Sequence, residues 1–491
     1  MSLFDYLKKY KKKQPNKSAL IIDNLNFSYL EFYNLVHKTI TIFEKNKITK
    51  DSTVLIVEDN TLAHILSIFA LSYINATAVP ANTQYSMEKL SNLINLTEVN
   101  SLIGNSKLCN FLNKKYKFNA IISTNKSKKF SFFFKDVDKF SNIKNKKINI
   151  NNNFIITASS GSTANPKPII FSQKTKISRF KLMSKLYNID GNDKIIITCP
   201  IDHSLGMRIL FLSFLSGGTC VVMNKFTVSK YINLIKVYHV TFSILVGSQI
   251  YELISEKKNF KNFYLKKGLV SASSKLFPDA KKKIIEKKIK LYEMYGATEI
   301  GTVTSIKINN DKDNLKSVGK SYDKRIVVKI LGKNNRFLPK FKIGEITAKT
   351  PGRFKQYFKS NKLNKNSFFR GFFKTGDIGY LDKEKNLYFL SRKKNLIRRG
   401  GITIFPEDIE GILLNDKNIK EVAVVGKEEK IKTLIYLFVK KEKNIDENYI
   451  KNICLKKLST FQIPNQIILV NQFSKLGLGK INKRQLIKKL A

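Results

Sequence analysis

The 491-residue chain carries 89 Lys and Arg against 37 Asp and Glu, a net charge of +52, and 43% of its residues are hydrophobic. That apolar content excludes a disordered chain, and the length allows two or more domains with real cores. The charge alone raises nucleic acid or a membrane surface as a partner. However, the excess is nearly all Lys, runs the whole length, and accompanies abundant Asn, Ile, Phe and Tyr, all of which have codons built from A and T alone. A nucleic-acid binder clusters its charge, so composition explains the excess and no specific nucleic acid is expected.

The first ten residues, Met-Ser-Leu-Phe-Asp-Tyr-Leu-Lys-Lys-Tyr, lack a long apolar core and a small-residue cleavage site, so no secretory signal is expected. Val54–Val57 has the pattern of a buried strand, Asn60–Ile74 of a helix, and Ala76–Pro80 of the next strand. Residues 123–153, rich in Lys, Asn and Ser, are expected to be a poorly structured surface connection. Further strands are expected at Lys194–Thr198, Thr219–Met223, Phe242–Val246 and Leu269–Ala272. Leu205–Met223 is the most apolar window, but Arg208 and Gly217-Gly218 interrupt it, so it is expected to be a buried helix, turn and strand and not a membrane span.

Alternation of strand and helix through roughly the first 390 residues favours an α/β architecture. A tail of about 100 residues follows, with helices at Glu407–Leu414 and Glu447–Leu458 and strands at Val422–Val425 and Leu434–Val439, enough for a small α+β domain. Cys109, Cys199, Cys220 and Cys454 are far apart and match no metal spacing. A reducing, cytoplasmic setting is expected.

Chemistry concentrates in five ordered segments. In the first, the apolar run Phe154–Ile156 breaks into six small residues, Ala158 to Thr163, five of them Ser, Thr or Gly, and closes on Asn165-Pro166-Lys167. Small side chains let backbone N–H groups approach an anion, hydroxyls add donors and the lysine adds charge, which suits a polyphosphate. It is not a Walker A loop, whose lysine directly precedes a hydroxyl residue. Tyr295-Gly-Ala-Thr-Glu299 sets a hydroxyl beside a carboxylate after a strand-like run. Thr375-Gly-Asp377 is expected to place an acid beyond a tight turn. Arg392 opens a basic stretch leading to Gly400-Gly401, and Gly477-Leu-Gly-Lys480 carries a lysine on a glycine loop. Each alone has an ordinary reading as a surface loop, strand end, turn or solvated lysine.

In this order, and with Pro15–Ile21, Phe27–Glu31 and Val79-Pro80 before them, these segments resemble the adenylate-forming superfamily of acyl-CoA synthetases, adenylation domains and luciferases over nearly the whole chain. The resemblance implies a large multi-sheet α/β N-terminal domain, residues 1–391, that binds ATP and the acyl group, and a small mobile α+β domain, residues 392–491. It implies ATP phosphates held by Ser159, Ser160, Gly161, Ser162, Thr163 and Lys167, and adenine laid along Ser271, Ala272 and Ser273 within the segment Leu269–Leu276. Tyr295 and Gly296 border the nucleotide, Thr298 contacts phosphate, Glu299 holds Mg²⁺, and Asp377 and Arg392 grip the ribose. Lys480 bridges the acid and the α-phosphate, and Lys394 is the hinge.

His203 is implied between acyl site and thiol tunnel, with Gly400 and Gly401 on the tunnel face. The implied acyl pocket comprises Val246, Gly247, Gln249, Ala272, Gly296, Ala297 and Ile300. Ser391, Asn395, Arg398, Ser474 and the Ser271–Ser274 run depart from common family forms without removing a charged catalytic group.

The expected activity is ATP-dependent conversion of a small-molecule carboxylic acid to an acyl-adenylate, then transfer to coenzyme A. The expected cofactors are ATP, Mg²⁺ and coenzyme A. The alternatives are a free-standing enzyme that loads a carrier-protein thiol, and a non-catalytic basic nucleic-acid binder. Asp202 stands near the place where an amino-acid-activating relative pairs the substrate ammonium, but precedes His203 instead of following it.

Overall fold

The computed structural model describes residues 1–59, 61–135, 147–158, 167–256, 264–400, 402–416, 418–429, 433–442, 445–476 and 479–490. Two eight-stranded sheets dominate the large domain. One runs in the order Gly301–Lys307, Leu291–Ala297, Gly268–Ala272, Phe242–Val246, Lys194–Ile197, Thr219–Val222, Ser18–Ile22 and Leu25–Ser28. Its middle is parallel, and an antiparallel hairpin closes each edge. The other runs Gln356–Tyr357, Pro168–Phe171, Ile155–Ala158, Thr77–Ala81, Thr53–Val57, Ser101–Gly104, Ala120–Ser123 and Ser131–Phe132.

Helices Thr61–Ile74 and Ser204–Ser216 are packed between these sheets and are apolar nearly all round. One core joins Val54 and Ile56 of one sheet to Ile195 and Ile197 of the other through Phe32, Phe69, Phe211 and Phe214. The expected helix, turn and strand over Leu205–Met223 is observed as helix Ser204–Ser216 and strand Thr219–Val222. Gly217 joins them at φ +78°, where a Cβ would stand 2.4 Å from the Tyr10 ring, so only glycine fits the turn.

Alternation of strand and helix ends near residue 300, earlier than the sequence suggested. A five-stranded antiparallel sheet follows, built from Val327–Leu331, Gly344–Lys349, Phe368–Phe369, Phe372–Leu381 and Leu387–Arg392. Within residues 123–153 the described part includes one short strand, Ser131–Phe132, paired to Ala120–Ser123. Residues 136–146 of that connection, and Asn60 at the expected helix start, lie outside the described residues.

The smaller α+β domain has a three-stranded sheet of Val422–Glu428, Thr433–Lys440 and Gln466–Val470. Helices Pro406–Leu414, Glu447–Lys457 and Lys483–Lys488 cover it, and it keeps its own apolar cores. Two short hairpins project from it, Ile397–Arg399 with Ile402–Ile404, and Lys475–Leu476 with Lys480–Ile481. Among the described residues no helix is long and apolar enough to cross a membrane.

Candidate active site

Asp377 sits inside strand Phe372–Leu381, not beyond a tight turn as the Thr-Gly-Asp pattern suggested. Gly376 takes φ +71°, and the register slips against both flanking strands, as a bulge produces when it re-aims a side chain. The Asp377 carboxylate is 2% exposed. Its Oδ2 accepts from the Tyr295 hydroxyl at 2.6 Å. Its Oδ1 lies 2.8 Å from Arg392 Nε, but not in line with the N–H, so it keeps acceptor capacity for a ligand hydroxyl. Asp377 and Arg392 are register partners on adjacent strands, which fixes the pair. Burial raises the Asp377 pKa, and Arg392, the Tyr295 hydrogen bond and Lys480 oppose that rise.

Lys480 stands in the second strand of its hairpin, opposite Leu476. Gly479 brings it there with φ +73°, and a Cβ on Gly479 would lie 2.6 Å from Ser248 Oγ of the large domain. The hairpin is therefore docked on the start of helix Gly247–Ser255. Lys480 retains solvent access, yet the protein mass around it and the neighbouring Arg392 pull its ammonium down to about 8, with Lys394 adding to the effect and Asp377 opposing it. Arg392, Arg484 and Lys167 all act on Lys394, so cations of both domains gather around that residue. Gly400, by contrast, has φ +53° and no atom within 4 Å of where a Cβ would be. Lys394 lies in the single helical turn Lys393–Asn395 that joins the Arg392 strand to the smaller domain.

The Tyr295–Glu299 segment leaves strand Leu291–Ala297 and turns back into Gly301–Lys307. The expected strand end is thus followed by a hairpin. Arg179 braces this turn from behind: it is 5% exposed and donates to the carbonyls of Thr298 at 2.9 Å, Glu299 at 3.0 Å and Gly352 at 2.7 Å. Glu299 Oε1 accepts from the Tyr357 hydroxyl at 2.9 Å. Tyr357 belongs to the strand paired with Pro168–Phe171, immediately after Lys167, so Glu299 is tied to the polyphosphate segment. Sequence reasoning missed Arg179 and Tyr357, because a single Arg among 89 basic residues carries no local signal.

The strand ends Val246 and Ala272 are register neighbours. Ser273 adopts φ +71° without being glycine, a costly conformation for a side chain. Ser274 Oγ accepts from Gly247 N at 3.2 Å, and the Ser271 hydroxyl is buried without a partner. Val246, Ser248, Gln249, Thr198 and Gly479 line a cleft of about 210 Å³. Gln249 is fully engaged, accepting from Val246 N at 3.2 Å and donating to Thr198 O at 3.0 Å. Gly296 faces Gly301 O so closely that a Cβ would lie 1.9 Å away, and Ala297 packs at the edge of the core beside Tyr295.

Ile300 is one of the residues expected in the acyl pocket. It is fully buried in one cluster with Phe171, Val303 and Phe354 and packs near Arg179, Arg208 and Tyr322, outside the lining of the Val246–Gln249 cleft. The hairpin aims it there, because Ala297 and Gly301 are register partners and Ile300 lies in the turn between them. His203 is the N-cap residue of helix Ser204–Ser216, and its Nε2 lies 4.0 Å from Asp202 Oδ2. Ser159, Ser160, Gly161, Ser162, Thr163 and Gly401 lie outside the described residues.

The described residues suit a nucleotide with Mg²⁺. Asp377 Oδ1 has spare acceptor capacity, and Glu299 Oε2 makes no hydrogen bond among them. Among the described residues no group of three His, Cys, Asp or Glu side chains converges there. One carboxylate with phosphate and water ligands is a usual Mg²⁺ environment.

Residues 7–358 match the AMP-binding enzyme family and residues 408–480 its C-terminal domain. The chain belongs to the AMP-binding enzymes, the adenylate-forming, acyl-CoA synthetase-like superfamily that activates acids with ATP. It is similar to 2-succinylbenzoate–CoA ligases of Bacillus licheniformis, at 24% identity over 98% of this chain and 99% of that one, and of Oceanobacillus iheyensis, at 26% over 96% of each. Its fold matches o-succinylbenzoate CoA synthetase of Bacillus subtilis in complex with an acyl-adenylate, with TM-score 0.87, 22% identity and coverage of 98% and 97%. It also matches the amide bond synthetase McbA of Marinactinospora thermotolerans, with TM-score 0.88, 16% identity and coverage of 99% of each chain.

Proposed function

We propose that the protein is an acid–thiol ligase that forms an acyl-adenylate and passes the acyl group to coenzyme A. The observation that carries this reading is the docked Lys480 hairpin beside the Tyr295–Asp377–Arg392 clamp. In the first half-reaction a carboxylate oxygen attacks the α-phosphorus, the bond to the β-phosphate breaks, and pyrophosphate leaves. Asp377 accepts from the ribose hydroxyls while Arg392 holds it ionised. Lys480 neutralises charge gathered between acid and α-phosphate, and Thr298 and Lys167 contact the outer phosphates, together with the Ser159–Thr163 loop. Bound Mg²⁺, held by Glu299, supplies charge neutralisation on the phosphates. The main work is positioning.

In the second half-reaction the thiol sulfur attacks the acyl carbon, the bond to the phosphate oxygen breaks, AMP leaves and the thiol proton goes to solvent. This requires the smaller domain, residues 392–491, to pivot at Lys394, withdrawing Lys480 and presenting Gly400 and Gly401. His203 then stands between acyl site and thiol path. The similar ligases make 2-succinylbenzoate with coenzyme A the first pair to assay. Loading of an amino acid onto a carrier has less support, because Asp202 is already engaged by Asn82 Nδ2 at 3.3 Å and faces His203.

The test is acid-dependent ATP–pyrophosphate exchange across a carboxylic-acid panel, followed by thioester formation with coenzyme A or a carrier protein. Exchange abolished by Asp377→Ala supports the reading. No exchange with any acid, together with salt-dependent DNA binding, overturns it.

A further inference from the structure

Asp377 is aimed by a distortion that its own strand cannot hold alone. Across the ladder Glu345 pairs with Ile378 and Thr347 with Lys374, so Thr375, Gly376 and Asp377 together stand opposite the single residue Ile346. Such a bulge takes backbone donors out of the ladder, and each must find another acceptor. Two side chains supply them. Thr375 Oγ1 accepts from Asp377 N at 3.1 Å and donates to Ile346 O at 2.7 Å. Glu345 Oε1 accepts from Gly376 N at 3.1 Å. Gly376, at φ +71°, is where the backbone turns before Asp377 reaches Tyr295.

Glu345 projects from the neighbouring strand Gly344–Lys349, and its side chain is 13% exposed. Its other oxygen, Oε2, accepts from Lys393 Nζ at 2.9 Å, in the turn that joins the Arg392 strand to the smaller domain. One carboxylate therefore touches both the Asp377 bulge and the hinge turn. The two contacts are unequal. The Lys393 side chain is 63% exposed, and an exposed ion pair contributes little. A hydrogen bond from a half-buried backbone N–H to an ionised carboxylate contributes more. The magnitudes place the action of Glu345 at the bulge.

We propose that Glu345 is a positioning residue for the nucleotide: it completes the bulge at Gly376 and thereby aims the Asp377 carboxylate at the ribose hydroxyls. The proposal rests on the reading of Asp377 as the ribose acceptor given above. Without the Glu345 carboxylate the Gly376 N–H loses its acceptor, and the bulge is no longer held against the regular ladder. Slippage of the strand by one position turns Asp377 to the opposite face of the sheet, away from Tyr295. Glu345 thus acts on the nucleotide through backbone and through Asp377, without touching the ligand itself.

The test is direct binding of ATP, 2′-deoxy-ATP and 3′-deoxy-ATP to the full chain by calorimetric titration, which needs no acid substrate. The wild type is expected to bind ATP more tightly than the deoxy analogues. Glu345→Leu is expected to weaken ATP roughly 10- to 100-fold, the size of a lost hydrogen bond to a charged group, and to shrink the ATP-to-deoxy ratio toward that of Asp377→Ala. Glu345→Ala, which adds no bulk, is measured beside it so that a folding failure of one leaves the other. Glu345→Gln keeps an oxygen for the Gly376 N–H and should retain most of the ratio, a rescue that a general loss of stability would not give. Lys393→Met should keep the ratio and change ATP affinity by no more than about fivefold. An unchanged ratio in Glu345→Leu and Glu345→Ala, a Glu345→Gln ratio no better than theirs, or an equal loss in Lys393→Met overturns the proposal and leaves the ribose reading of Asp377 standing. No discrimination by the wild type overturns that reading and the proposal together.

Discussion

Gly479→Ala probes the docking of the smaller domain most directly. The new Cβ lies 2.6 Å from Ser248 Oγ in the docked orientation, closer than real Cβ contacts, so the hairpin or Ser248 must move. Such overpacking costs about 1–3 kcal/mol. The positive φ of +73° adds roughly 1–2 kcal/mol for alanine, but this strain is internal to the hairpin and would cancel between orientations of the smaller domain that keep the hairpin intact. The clash is paired with docking alone. Adenylation, followed by pyrophosphate exchange, should therefore slow by roughly 5- to 150-fold. Thioester formation from supplied acyl-adenylate should hold its rate. Ser248→Gly in the same chain removes the atom that is struck and should restore most of the exchange, giving a coupling energy in a double-mutant cycle. Equal loss in both half-reactions, or no rescue by Ser248→Gly, would show that this contact does not govern adenylation.

Lys480→Ala should cut adenylation about 10²–10³-fold, as removal of one charge donor at a developing oxyanion does, and spare thiol transfer; equal damage to both halves would contradict a role confined to the first. Because the Lys480 ammonium sits at about 8 in the free protein, its charge is complete at lower pH and is lost as pH rises through that value. The profile of kcat/KM for exchange should therefore fall on the alkaline side near 8, and Lys480→Arg should move that limb upward; a limb unmoved by the substitution assigns it to another group. Glu299→Gln should raise the Mg²⁺ concentration needed for half-maximal exchange, since a neutral amide is a poor ligand for a hard cation; unchanged metal dependence removes Glu299 from the metal site. Lys394→Pro fixes φ in the Lys393–Asn395 turn and should impair one half-reaction far more than the other; normal rates in both would place the pivot elsewhere.

The ordered motifs were legible because each is a short run of unusual residue types whose chemistry is local. A Ser/Gly/Lys loop, a Thr-Glu pair and a lysine between glycines have the same donors and charges wherever the chain takes them. Periodicity likewise gave the buried strands Thr53–Val57 and Phe242–Val246 and the helix Thr61–Ile74 nearly to the residue, because burial on a sheet or between sheets imposes a pattern on neighbours in sequence. Asp377 was legible as a residue but not as a strand bulge. Gly376 looks the same in a turn as in a register slip, and only the two flanking strands distinguish them.

What the sequence alone determined, then, was the family and the two-domain α/β plan, together with the charged groups proposed for the reaction. Tertiary structure decided how those groups are held. Tyr295 reaches Asp377 across 82 positions and Arg179 reaches Glu299 across 120, contacts that no local pattern encodes. It placed Ile300 near Arg179 and Arg208 and outside the lining of the Val246–Gln249 cleft. It also separated Arg208 from the other basic residues. In sequence that arginine only interrupts an apolar window, and its hydrogen bond to Thr302, 94 positions away, exists only once distant helices and strands are packed together.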